Sequence, residues 1–299
     1  MVKILITGSN GFLGSNLVNF FSRQPDFQVH STSQRSSVDP GIKKFYQGSL
    51  LDKRFVDDLF SAIKPDIVIN TVSLVNVDQC EEQPALAYDI TVRTAENVAR
   101  SAQKHDSRLV YISTDHLFDG KKSMYTEEDT PTPVNEYGKT KLLAEQKTRA
   151  SAPDSILIRT NFFGWSPKGH PPTFGEWVFN HLRDHHPMNM FTDYYFTPIE
   201  VHYLAEGIYT VIDSDFSGIM NIVGSERCSK YTFGMRLAEL AGFDSSVITP
   251  TKVVADSFKV PRPPDLSLST KKIEQHYQKH MPGLDECLKR FLEGLALIT

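Results

Sequence analysis

Tyr137 and Lys141 are the residues whose types and spacing most directly indicate catalysis. A tyrosine hydroxyl has a pKa near ~10, so it exchanges protons poorly at neutral pH unless a nearby positive charge stabilises the phenolate. Residues four apart on a helix share one face, and Tyr137 is the one tyrosine of eleven that has a lysine four positions later. The pair therefore predicts a general acid–base centre. The alternative is an ordinary pair on a helix surface.

A glycine-rich loop near the start of the chain predicts a dinucleotide-binding site. The glycines stand at positions 8, 11 and 14, directly after an apolar run and before a helical pattern. Glycines at this spacing permit a tight turn, bring backbone N–H groups close to a pyrophosphate and let the helix pack closely on the strand. A glycine-rich turn without a ligand is the alternative. The residues of this loop expected to contact the cofactor are Gly8, Asn10, Gly11, Phe12, Leu13 and Gly14.

The segment Ser113-Thr114-Asp115 follows an apolar run at residues 109–112. Ligands of open α/β sheets bind at the carboxyl ends of the parallel strands. A hydroxyl there can donate to a substrate carbonyl and hold it against Tyr137. The competing interpretation is a hydroxyl that caps a turn or a helix.

The residues after the second predicted strand favour NADPH over NADH. A site that prefers NAD commonly places a carboxylate about 20 residues beyond the glycine loop, where it binds the adenosine ribose. Here that residue is Ser33, Arg35 follows, and no carboxylate lies between Asp26 and Asp39. A hydroxyl and a guanidinium suit a 2′-phosphate, so we expect a preference for NADPH without exclusion of NADH. The alternative is that Arg35 faces solvent.

Composition limits the class of protein. The 299 residues are 40% hydrophobic and 23% charged, with a net charge of −4. This balance predicts a packed globular chain and argues against nucleic-acid or anionic-membrane partners. The three cysteines form no CxxC pair, and no apolar run has the length of a membrane span or a signal-peptide core. We therefore expect a cytoplasmic protein. His181 and His185 have a spacing that can bind zinc, but no HExxH order accompanies them, so an exposed helix face is expected there and no bound metal.

The elements that must position these residues alternate between short β-branched runs and longer helical patterns. Strands are predicted at 2–7, 27–32, 43–47, 67–69, 109–112 and 156–158, and helices at 11–22, 52–63, 84–105 and 134–149. The alternation predicts an α/β fold with a Rossmann-type, doubly wound parallel sheet. Residues 1–164 are expected to bind NAD(P). Residues 165–299 are expected to form a smaller α/β substrate-binding lobe, with part of about 192–213 returning to the first domain.

Together these motifs resemble the dTDP-4-dehydrorhamnose reductase family of extended short-chain dehydrogenases. The Phe-Asp-Gly run at 118–120 and the Arg-Pro…Ser-Leu run at 262–268 are typical of this family rather than of epimerases generally. The resemblance implies that Thr114, Tyr137 and Lys141 are catalytic, and that the last two also bind the cofactor.

The resemblance also implies further ligand contacts. Val72 and Ser73 stand beside the cofactor, in a loop where the family commonly has small alanines. The residues expected to bind the substrate are Thr114, Asp115, Phe162 and Arg262.

The predicted function is reduction of a nucleotide-linked 4-keto-6-deoxysugar by NADPH or NADH, in which Tyr137 donates the proton. Two alternatives stay open. One is a nucleotide-sugar epimerase or dehydratase, although a dehydratase would need a second carboxylate where the chain has His116. The other is a non-catalytic regulatory subunit that resembles the β subunit of methionine adenosyltransferase. A homodimer is compatible with the resemblance.

Overall fold

A computed structural model describes residues 1–36, 44–167, 170–254 and 257–295. The chain divides into two compact units, each assembled from separate segments. The first unit comprises Met1–Leu117, Asn135–Ile158 and Val211–Met220. The second unit comprises Phe118–Val134, Arg159–Thr210 and Asn221–Thr299.

Thirteen strands are found in the described residues, and seven of them form one sheet. The strands are β1 (Val2–Thr7), β2 (Phe27–Ser33), β3 (Phe45–Gln47), β4 (Ile67–Asn70), β5 (Arg108–Ile112), β6 (Ile156–Arg159), β7 (Phe162–Phe163), β8 (Met188–Phe191), β9 (Tyr195–Phe196), β10 (Ile199–Glu200), β11 (Gly218–Asn221), β12 (Cys228–Ser229) and β13 (Ile248–Thr251).

The large sheet has the order β11-β6-β5-β4-β1-β2-β3. Neighbouring strands from β3 to β6 are parallel. The strand order reverses between β1 and β4, which is where open sheets of this kind bind their ligands. The predicted Rossmann-type fold is confirmed.

The helices of the first half lie between these strands, as the sequence pattern predicts. The helices in the described residues are α1 (Phe12–Ser22), α2 (Lys53–Ile63), α3 (Val77–Glu82), α4 (Pro84–Ala87), α5 (Thr94–Lys104), α6 (Glu136–Ser151), α7 (Phe174–Arg183), α8 (Val201–Ile212), α9 (Lys230–Ala241), α10 (Lys271–Tyr277) and α11 (Leu284–Gly294), with a π-helical segment at Tyr88–Arg93 and a 3₁₀ turn at Ser245–Val247.

The continuous helix predicted at 84–105 is therefore interrupted. The π-helical segment joins α4 to α5, and the N–H of Thr94 donates to the C=O of Asp89, five residues back. The hydrophobic spacing of an α-helix does not reveal a single wider turn, so this segment could not be predicted from the sequence pattern. Helices α3 and α11 were also not predicted.

Apolar faces of α2 and α5 bury one side of the sheet. Val56, Leu59, Phe60 and Ile63 recur at helical spacing on α2 and are buried in one cluster with Leu5 and other strand residues. The side chain of Asp52 caps α2 by accepting hydrogen bonds from two backbone N–H groups of its first turn. This packing fixes the strand ends that carry the candidate site.

The division into units differs from the boundary expected at residue 164. The segment that returns to the first unit is Val211–Met220, and Phe118–Val134 belongs to the second unit. Val211–Met220 belongs to the first unit because β11 pairs with β6 at the edge of the large sheet. In addition, the Arg108 guanidinium donates to the carbonyl oxygens of Val211, Ile212 and Phe216 at 2.7–3.3 Å.

In the second unit, the two runs that are typical of the family pack against each other. Gly120 has φ +75°, and a Cβ there would lie 2.7 Å from Pro264 Cδ. Nearby, Tyr125 N–H donates to the Ser267 carbonyl at 2.8 Å, and the Ser269 N–H donates back to Tyr125 at the same distance. The two runs are more than 140 residues apart in sequence but form one structural feature.

No helix in the described ranges has both the length and the apolar character needed to cross a bilayer. Cys80, Cys228 and Cys287 are all buried free thiols.

Candidate cofactor and catalytic site

The glycine loop joins β1 to α1 and leaves no room for side chains at two of its positions. Gly8 has φ +70°, and a Cβ there would lie 2.7 Å from Thr71 Oγ1. A Cβ at Gly14 would lie only 2.2 Å from the carbonyl oxygen of Gly8, because the first turn of α1 packs directly on the loop. The loop therefore has the shape of a phosphate-binding turn at a helix N-terminus.

A cavity of about 240 Å³ opens beside this loop, at the carboxyl ends of the strands. Of the predicted cofactor residues, Gly8, Gly11, Ser33, Val72 and Ser73 line it. Leu13 and Gly14 are instead buried in the first turn of α1. Sequence reasoning missed most of the other lining residues, which are Thr32, Gln34, Gly48, Ser49, Leu50, Leu51, Thr71, Ile90 and Thr94.

Most of the missed residues lie at or just after the carboxyl end of a strand. Thr32 and Gln34 flank the predicted Ser33, and residues 48–51 follow β3, so strand ends alone could have indicated them. Ile90 and Thr94 could not be found this way, because they lie in or next to the π-helical segment.

Asn10 connects the glycine loop to the residues after β2. Its Nδ2 donates to the carbonyl oxygens of Arg35 at 3.3 Å and Ser36 at 2.8 Å. The backbone of Arg35 is thereby held near the loop, while its side chain is exposed. The exposed guanidinium is accessible to a ligand. The same exposure also fits the alternative, in which Arg35 only faces solvent.

Tyr137 lies in the first turn of α6, and its hydroxyl is hydrogen-bonded to the Thr114 side chain. The Asn135 side chain caps this helix by accepting from the Gly138 N–H at 2.9 Å. Thr114 Oγ1 also donates to Asp115 Oδ1 at 3.1 Å and accepts from the His116 N–H at 3.3 Å. The structure thus brings together the tyrosine and the threonine that the sequence predicts to be catalytic.

Lys141 is buried one helical turn after Tyr137. Its Nζ donates to the carbonyl oxygen of Ile112 at 2.7 Å and lies 4.5 Å from the centre of the Tyr111 ring. Both contacts favour the ammonium form. The side chain is therefore anchored to the end of β5, the strand that leads into Thr114.

Burial shifts the pKa values of both residues. Desolvation raises the pKa of Tyr137 well above its usual range, and the nearby Asp115 carboxylate adds to the rise, while the hydrogen bond with Thr114 opposes it. Desolvation lowers the pKa of Lys141 to about 7, although Glu145 favours its charged form. At neutral pH Tyr137 therefore holds its proton, and Lys141 is close to its titration midpoint.

The predicted substrate residues are distributed over both units. Thr114 and Asp115 belong to the first unit and are buried. Phe162 and Arg262 belong to the second unit, where Phe162 is half-buried in β7 and the Arg262 guanidinium lies 5.1 Å from the Phe258 ring centre.

Comparison with known families identifies the chain. The family described as RmlD substrate binding domain matches residues 2–297. The chain belongs to this family. The expected membership in the dTDP-4-dehydrorhamnose reductase group of extended short-chain dehydrogenases is confirmed.

Members of known structure and named function show how closely the chain follows this family. A solved dTDP-4-dehydrorhamnose reductase from Clostridium acetobutylicum is 30% identical, with a TM-score of 0.87 over 99% of this chain and all of that one. The probable low-salt glycan biosynthesis reductase Agl14 of Haloferax volcanii is 28% identical over 95% of each chain. The β subunit of rat methionine adenosyltransferase 2 is 27% identical over 91% of this chain and 81% of its own.

Proposed function

We propose that the protein is an NADPH-preferring reductase of a nucleotide-linked 4-keto-6-deoxysugar in polysaccharide or glycan biosynthesis. The observation that carries this proposal is the buried set of Thr114, Tyr137 and Lys141 in the same unit as the glycine-loop cavity. Membership in a family with named reductases supports the class of reaction.

The first unit fits a dinucleotide. Gly8 and Gly14 leave backbone N–H groups accessible where side chains would clash, and the adjacent cavity is lined largely by backbone, hydroxyl and apolar groups. None of the described lining residues is acidic, so the cavity offers no carboxylate to repel a 2′-phosphate. Ser33 lines the cavity and Arg35 follows it, which supports the preference for NADPH.

The bound cofactor would supply the hydride that reduces the sugar ketone. Tyr137, whose raised pKa keeps it protonated at neutral pH, would donate its proton to the developing alkoxide. Thr114 would donate to the same oxygen by turning its single proton from Asp115 to the substrate, while the bond from the His116 N–H keeps its hydroxyl oxygen in place. Lys141 would hold the nicotinamide ribose and, once protonated, stabilise the phenolate that Tyr137 leaves.

The residues expected to contact the substrate are Thr114, Asp115, Phe162 and Arg262. Phe162 offers a half-buried aromatic surface for the sugar, and Arg262 offers a cation for the diphosphate.

A regulatory, non-catalytic role is the second candidate, because the relatives include the rat methionine adenosyltransferase subunit. The buried Thr114–Tyr137 hydrogen bond and the buried Lys141 favour catalysis instead, since a pure binding subunit gains nothing from burying an ammonium.

The test is incubation of the purified protein with NADPH and a panel of nucleotide-linked 4-keto-6-deoxysugars and 4-hydroxy sugars, with the reduced nicotinamide followed by absorbance. A reductase consumes one NADPH for each keto-sugar reduced. An epimerase or dehydratase would convert sugar without net consumption. A regulatory subunit would convert none of the panel. Either of the last two results would refute the proposal.

A further inference from the structure

Residues 71–73 form one wall of the glycine-loop cavity, and hydrogen bonds hold these residues and the following Leu74 in place. Thr71 Oγ1 donates to the Thr7 carbonyl at 2.7 Å, and the Val72 N–H donates to Asn70 Oδ1 at 3.1 Å. The next two residues, Ser73 and Leu74, are held by Thr91.

Thr91 is completely buried in the π-helical segment. Its Oγ1 accepts from the Leu74 N–H at 3.1 Å and lies 3.3 Å from Ser73 Oγ. Ser73 Oγ in turn lies 3.4 Å from the Leu74 carbonyl oxygen. Wider turns of this kind inside helices occur often at functional sites.

Either hydroxyl of the Thr91–Ser73 pair could be the donor. In one of the two arrangements, Thr91 Oγ1 accepts from the Leu74 N–H and donates its single proton to Ser73 Oγ. Ser73 is then left to donate its own proton, and the Leu74 carbonyl receives it at the longest distance in the cluster. A ligand oxygen in the cavity could take over this weak bond without breaking the other two.

We propose that Thr91 is a positioning residue for the cofactor, which acts by directing the Ser73 hydroxyl into the cavity as a donor. The ligand class is the dinucleotide of the proposed function, and the inference rests on that function. Ile90 and Thr94, on either side in the same helical region, line the cavity directly, whereas Thr91 reaches it through Ser73.

The experiment is a double-mutant cycle on NADPH affinity, measured by the fluorescence of the bound reduced nicotinamide. Thr91→Val keeps the shape and removes the hydroxyl, and we expect it to weaken binding about five- to tenfold, the usual effect of one hydrogen bond. Ser73→Ala should weaken binding to a similar degree. Because Thr91 acts through Ser73, the double variant should bind no more weakly than Ser73→Ala alone.

Two further variants separate positioning from general stability. Thr91→Ser restores the hydroxyl and should bind NADPH as the wild type does. Thr148→Val removes another fully buried helix hydroxyl, one without a hydrogen-bond partner in the described structure, and should leave binding unchanged. If Thr91→Val fails to fold, as judged by circular dichroism, Thr91→Ala takes its place in the cycle.

Wild-type affinity in Thr91→Val, or losses that multiply in the double variant, would overturn the role of Thr91 and leave the proposed function intact. A wild-type protein that binds neither NADPH nor NADH would refute the proposed function itself and, with it, this inference.

Discussion

Replacing Lys141 by methionine tests whether a buried ammonium really sits at the candidate site. Burial lowers the pKa of Lys141 from an ordinary 10.5 to about 7. The unfolded chain therefore binds one proton more than the folded chain between these two values. In that interval the stability of the wild type must rise with pH, because raising the pH removes the proton that favours unfolding.

The magnitude follows from the size of the shift. One pKa unit corresponds to about 1.4 kcal/mol, so the fully charged lysine costs the fold up to about 5 kcal/mol below pH 7. From about pH 7 to about pH 9 the folded form loses the remainder of its proton, and the stability of the wild type should rise by about 2 kcal/mol relative to Lys141→Met.

The assay is urea unfolding of both proteins without cofactor at a series of pH values, followed by circular dichroism. Lys139→Met is the matched control, since Lys139 is on the same helix, is exposed, and pairs with Glu136, which keeps its pKa high. Its difference from the wild type should stay constant over the same interval. A constant difference for Lys141→Met as well would show that Lys141 stays charged and hydrated, and the reasoning from burial would be wrong.

Three further substitutions test the remaining parts of the argument. Tyr137→Phe should reduce turnover by about 10²–10⁴-fold, the usual contribution of a general acid, while the variant still binds NADPH; undiminished turnover would remove Tyr137 from the mechanism. Arg35→Ala should lower kcat/KM for NADPH about tenfold or more and leave NADH nearly unchanged, whereas equal losses would contradict a phosphate contact. Gly120→Ala should cost about 2–4 kcal/mol in unfolding free energy, because it combines positive φ with contact against Pro264. Gly242→Ala, at φ +69° with open space around it, should cost only ~1 kcal/mol, and equal costs would show that the contact is unimportant.

The sequence predicted structure well where all the residues that contact one another lie in one short segment. The strand β1, the glycines and the start of α1 are contiguous, so the turn between them and its tight packing could be predicted. The helix that carries Tyr137 and Lys141 was predicted for the same reason, since residues four apart on a helix share a face.

Other features depend on residues far apart in the chain. The contact of Gly120 with Pro264 and the capping of residues 211–216 by Arg108 join segments more than 100 residues apart. No local pattern records such pairings, so the boundary expected at 164 differed from the observed units.

The sequence by itself determined the residue types, the strand–helix alternation and the helical spacing of Tyr137 and Lys141. Tertiary structure decided their electrostatic state, because a pKa depends on how much water and charge surround a group after folding. It also decided that Thr91 supports the cavity wall, because only the π-helical turn and the folded loop bring its hydroxyl to Ser73 and Leu74.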